Sequence, residues 1–115
     1  MSFYPTAVSL YDRSIRVDFD VAYGHAVTVS GQCPKKGHKI LGISKYSIGQ
    51  GKMTTVSVMG SVVAIAGSEI AQDDDLTVDD LGRVIPVSSA DQRVIGRAMT
   101  AADAENSPLE VMLTP

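Results

Sequence analysis

Apolar residues along this chain recur in short alternating runs rather than in helical stripes. Met53-Thr54-Thr55-Val56-Ser57-Val58 sets Val56 and Val58 on one face and Thr55 and Ser57 on the other. Period two with β-branched residues marks a half-buried strand. Ser61 to Ile65 continues past Gly60, which predicts one long strand bent at that glycine. Similar runs occupy Val27 to Val29, Ile40 to Ser44, Leu76 to Val78, Val84 to Val87, Val94 to Met99 and Leu109 to Leu113. Turn residues separate them, among them Gly51, Gly67, Asp79-Asp80, Gly82, Ser88-Ser89 and Asn106-Ser107-Pro108. Seven or eight short strands at this spacing predict an all-β barrel or sandwich in one small domain.

Two glycines have distinct expected jobs. Gly82 suits a hairpin turn that needs a positive φ, and Gly96 inside an apolar strand suits close backbone approach at a barrel corner. One helical signal stands out: Thr100-Ala101-Ala102-Asp103 fits a capping box, which predicts a helical turn over residues 100–105. The pattern also repeats. Ile40-Leu41-Gly42-Ile43-Ser44 followed by Thr54 to Met59 echoes Val94-Ile95-Gly96-Arg97-Ala98 followed by Leu109 to Leu113, with a shift of about 54 residues that sets Val56-Ser57-Val58 on Glu110-Val111-Met112. Upstream, Ala26-Val27-Thr28-Val29 echoes Asp75-Leu76-Thr77-Val78 at a shift of 49. A pseudo-twofold barrel built from two related units accounts for both shifts.

Residues 1–23 read as an N-terminal arm or a first strand, ahead of a barrel over residues 24–115. Ile15, Val17 and Phe19 alternate with Arg16, Asp18 and Asp20, a strand pattern. Pro5 keeps the start extended and out of a sheet interior. Phe3, Tyr4, Tyr11, Arg13 and Arg16 are residue types enriched where proteins meet proteins, which makes residues 1–14 a candidate arm on a neighbouring subunit.

The chain has 115 residues, 44% of them apolar, and no apolar run long enough to span a membrane as a helix. Net charge is −3, which disfavours nucleic acid as the main partner. The distribution is lopsided. Residues 1–52 hold seven Lys/Arg against three Asp/Glu; residues 53–115 hold three against ten. Lys35, Lys36 and Lys39 form a basic loop, and Asp73, Asp74 and Asp75 an acidic one, so one subunit's lysines are expected to meet a neighbour's aspartates.

Catalytic chemistry finds little purchase. His25 and His38 have no nucleophile and carboxylate arranged around them in sequence. The single cysteine, Cys33, allows no internal disulfide, and no zinc spacing is present. Counting from Asp73, an EF-hand would need glycine sixth and glutamate twelfth, where Val78 and Val84 stand. Gly49-Gln50-Gly51 lacks the third glycine of a dinucleotide loop. Neither a metal nor a cofactor is expected. Lys52-Met53 leaves one alternative open, a biotinyl- or lipoyl-type carrier or an accessory β domain.

From Val58-Met59-Gly60 onward the order of pieces resembles the head decoration, or capsid cement, proteins of tailed phages: Ile70-Ala71-Gln72-Asp73, Val78-Asp79-Asp80-Leu81-Gly82-Arg83-Val84, Ile95-Gly96-Arg97-Ala98 and a closing hydrophobic strand. The resemblance spans roughly residues 24–115. It implies a compact β-barrel on the outer surface of a virion capsid, with the major capsid protein and further copies of the chain as partners, a homotrimer as the expected assembly and no enzymatic activity. It also implies synthesis in the host bacterium's cytoplasm.

Overall fold

A computed structural model describes residues 9–114. The described residues form eight strands and no helix. They are β1 (Ser9–Arg16), β2 (Ala26–Val27), β3 (Gly42–Ser44), β4 (Met53–Ile65), β5 (Asp75–Val78), β6 (Val84–Pro86), β7 (Gly96–Ala98) and β8 (Pro108–Leu113). One sheet runs β2-β3-β4-β8-β7-β5-β6, with β1 also paired to β4. The sheet curls into a nearly closed antiparallel barrel. Backbone bonds from Ala26 N–H to the Gly82 carbonyl and from Gly67 N–H to the Val84 carbonyl help close it. β4 runs unbroken for 13 residues and passes through Gly60 at φ +95°.

The register shows that most of the backbone repeats, β6 having no strand counterpart. Shift residues 9–27 by 49, residues 41–48 by 54 and residues 51–57 by 55. Arg16↔Met53 then becomes Ile65↔Pro108, and Arg13↔Val56 becomes Val62↔Val111; both pairs of each set exist. Ala26↔Ile43 becomes Asp75↔Arg97, and Ser44↔Val56 becomes Ala98↔Val111. The isolated bridge Val21↔Ile48 becomes Ile70↔Ala102. The left-handed backbone of Gly24 (φ +77°) recurs at Asp73 (φ +73°). Thus β1, β2, β3 and the first half of β4 form one unit. The second half of β4, with β5, β7 and β8, forms the other. β4 is the last strand of one and the first of the next.

This sharpens the expected pseudo-twofold and corrects one alignment. Val56 corresponds to Val111, not Glu110, because the β7–β8 loop is one residue longer than the β3–β4 loop. Gly42 and Gly96 do correspond. A Cβ on Gly42 would run into the Ser57 carbonyl, and one on Gly96 into that of Met112. The hairpin turn is duplicated as well. Thr28 N–H bonds the Gln32 carbonyl as Asp79 N–H bonds that of Arg83, with Gly31 (φ +82°) and Gly82 (φ +84°) third in their turns.

The main core gathers buried residues of both units around Val62, Ile70, Leu76, Val84, Leu109 and Val111. A smaller cluster in the first unit packs Val17, Val21, Val27 and Val56 with Ile15, Phe19, Leu41, Ile48 and Val58. The expected helical turn at residues 100–105 does not form. Thr100 Oγ1 accepts a bond from Glu110 N–H at 3.0 Å across the β7–β8 loop, so the hydroxyl staples the hairpin instead of capping a helix.

Candidate functional site

β1 is an edge strand: it pairs with β4 on one side, and no described strand pairs its other side. Edge strands are protected by charge and irregularity, and β1 has both. Asp12, Arg13 and Arg16 interrupt it, and its register slips on either side of Tyr11. Leu10 is 75% exposed and Tyr11 50%. Arg16 Nη1 donates to the Gly51 carbonyl at 2.8 Å. Asp12 takes bonds from Ser9 Oγ and from Lys45 Nζ, the latter at 3.1 Å, and these hold its carboxyl below the usual range. Tyr11, Arg13 and Arg16 therefore sit on a surface strand; Phe3 and Tyr4 lie outside the described residues.

The basic loop is tied to the β5–β6 turn of the same chain. Lys36 N–H donates to Asp80 Oδ1 at 2.9 Å, Gly37 N–H to the Val78 carbonyl, and Cys33 Sγ to the Asp80 carbonyl. Burial, helped by Asp79 and Asp80, pushes the Cys33 thiol up, so it is a poor nucleophile despite the nearby lysines. The acidic run turns at Asp73, Asp74 Oδ2 accepts from Ala71 N–H, and Asp75 pairs Arg97 across β5 and β7. Within the described chain no ion pair joins Lys35, Lys36 or Lys39 to Asp73, Asp74 or Asp75. The firmest ion pair is elsewhere: Arg83 Nε to Asp79 Oδ2 at 2.9 Å, both about 15% exposed, with a further bond from Arg83 to Asn106.

His25 Nδ1 hydrogen-bonds the Leu81 carbonyl. No three His, Cys, Asp or Glu among the described residues gather as a metal site would require. Lys52 lies directly before β4, and its carbonyl accepts the Val17 N–H. Its side chain is exposed at the end of the turn that starts at Gly49.

One feature escaped the sequence reading. A groove of about 590 Å³ opens between the segment preceding β3 and the segment preceding β7. Its walls are Lys39-Ile40-Leu41-Gly42 and Arg93-Val94-Ile95, in which Lys39-Ile40-Leu41 and Arg93-Val94-Ile95 are equivalent under the shift of 54, and Val58 and its counterpart Leu113 also line it. The repeat carried the signal: extending the Gly42/Gly96 alignment three residues upstream pairs Lys39 with Arg93.

A mostly polar strand on the rim and tethered charged loops make up this part of the described surface. The phage cement protein family matches residues 12–113. The chain belongs to that family. Among solved structures it is similar to the base of the head fiber gp8.5 of bacteriophage phi29. The TM-score is 0.76 at 18% identity, covering 90% of this chain and 93% of that one. No curated protein matches it. At that identity the phi29 likeness shows the fold, and membership of the cement family makes the role a structural, capsid-associated one.

Proposed function

We propose that the chain binds the outer face of a phage shell and stabilises it against rupture, without catalysis or cofactor. The observation that carries this reading is the family match over nearly the whole described chain. The edge strand β1 supports it, since Leu10 and Tyr11 are large, exposed and set among charges, as at protein–protein contacts. Ser9–Ser14 pair with β4 in the barrel sheet, so β1 meets the neighbour as a barrel edge and not as a free arm. On the shell the chain assembles as a homotrimer in which Lys35 and Lys36 of one copy face Asp73, Asp74 and Asp75 of the next. Their lack of mutual ion pairs within one chain leaves them available.

The test uses heads assembled without this protein. Purified chain is added, heads are pelleted, and rupture temperature is read by DNA release. Saturable binding and a higher rupture temperature are expected. A chain that stays in the supernatant overturns the reading. The double variant Leu10→Ser/Arg13→Ser, at two exposed positions of β1, is expected to leave a folded barrel with sharply lower head occupancy; unchanged occupancy rules out the β1 contact. Raising salt past about 0.15 M, where screening acts within roughly 8 Å, is expected to loosen the trimer.

A further inference from the structure

We infer that the groove between Lys39–Gly42 and Arg93–Ile95 seats an extended segment of the shell protein that carries acidic and apolar side chains. This rests on the shell-binding reading above and names the surface that performs it.

Three properties of the groove converge on such an occupant. The first is its lining. Ile40, Leu41 and Val58 are half-buried, Val94 is 39% exposed, and Met59 and Tyr11 stand at one end at 41% and 50%. Apolar surface gathered in a groove gains by being covered. The second is charge. Lys39 and Arg93 occupy equivalent positions on the two walls, both exposed, and neither forms an ion pair among the described residues. Both also line an adjoining polar depression of about 640 Å³ shared with Lys35 and His38, where Asp91 is the one carboxylate. Two unpaired cations facing each other across an apolar floor select a partner with carboxylates along its edges. The third is backbone. Ile40 and Val94, again equivalent, lie just outside β3 and β7, and the backbone of neither bonds to another described residue. Free main-chain groups beside a groove are what an added extended segment pairs with.

Other occupants fit less well. Nucleic acid would want aromatic platforms and a run of cations, whereas the groove offers Tyr11 alone and an apolar floor. A second copy of the chain has no suitable described segment. Asp73–Asp75 passes directly into Leu76, which is fully buried. Exposed Leu81 sits between Asp79, held by Arg83, and Asp80, held by Lys36 N–H. The symmetry of the lining is incomplete: Met59 corresponds to Thr114, and Tyr11 has no counterpart in it.

The experiment places a photo-reactive p-benzoylphenylalanine at Val94 and irradiates the protein on heads that otherwise lack it. Cross-linked peptides that map to an acid-containing segment of the shell protein are expected. Peptides from a second copy, or adducts with DNA, overturn the proposal. In parallel the double variant Lys39→Glu/Arg93→Glu is expected to bind heads about tenfold or more weakly than the wild type, with an unchanged melting temperature and a flatter salt dependence. Val94→Asp, an exposed position, is expected to weaken binding likewise. If the wild type fails to bind heads, the cement reading fails and the groove proposal with it. If the wild type binds and these variants match it, the groove alone is refuted.

Discussion

Residues 9–16 and 58–65 occupy the same slot in the two units. Their strands pair with equivalent partners in equivalent register, yet one lies on the surface and the other in the core. Arg13 is exposed where Val62, its counterpart, is 4% exposed and packs in the main cluster. Asp12 and Arg16 stand where the second unit has Ser61 and Ile65. Backbone pairing alone therefore does not decide burial. Side-chain chemistry turned one copy of the strand into the barrel's centre and the other into a charged, irregular rim. A duplicated strand freed from core duty is a natural place to evolve a contact surface.

Exchanging the two chemistries gives the largest effect. Val62→Arg puts an unpaired charge into the core and is expected to cost roughly 4 kcal/mol or more, read as loss of the cooperative melting transition. The reciprocal Arg13→Val is expected to change stability by no more than about 0.5 kcal/mol. If both variants melt like the wild type, the core and rim assignments are wrong.

Next come the paired glycines. Gly42→Ala and Gly96→Ala each force a methyl group against a strand carbonyl, Ser57 or Met112. Each is expected to cost about 1–3 kcal/mol by overpacking, and the two costs are expected to be similar because the sites are duplicated. Denaturant titration of both variants checks this; a large loss for one and none for the other breaks the equivalence of the units.

A smaller gain is expected at Thr77. It is fully buried, and its hydroxyl has no hydrogen-bond partner. Thr77→Val removes that orphan and is expected to raise stability by about 1 kcal/mol. A drop in melting temperature would mean the hydroxyl is satisfied after all.

The slightest effect belongs to the rim. The Asp12 carboxyl is lowered by its bond to Ser9 and then by Lys45. A lowered folded-state pKa means a stabilising contribution present above the ordinary carboxylate range and lost as pH falls through the lowered value. Asp12→Asn is therefore expected to lower the melting temperature slightly at pH 6 and by less as pH falls below the ordinary carboxylate range. An offset that does not shrink as pH falls would rule out the charged form as the cause.

Much of the fold was legible in the sequence because each strand carries a period-two signal and each turn its own residues. The Gly42 and Gly96 alignment carries the duplication in the sequence itself. Thr100 misled because a capping box is a local signal, and the hydroxyl found a stronger partner, Glu110 N–H, ten residues away. β1 was harder to place. Its pattern past Ile15 reads as strand, but the paired stretch is Ser9–Arg16, whose charges hide it from a hydrophobicity reading. The groove was missed because most of each wall is irregular backbone, and only the fold brings the walls together.

The most direct test of the whole account is a cryo-EM comparison of heads assembled with and without the chain. Difference density is expected on the outer surface, shaped as the two-unit barrel, in trimers, with a shell segment threaded between Lys39 and Arg93. A barrel bound inside the head, or no difference between the two maps, would contradict the central claim.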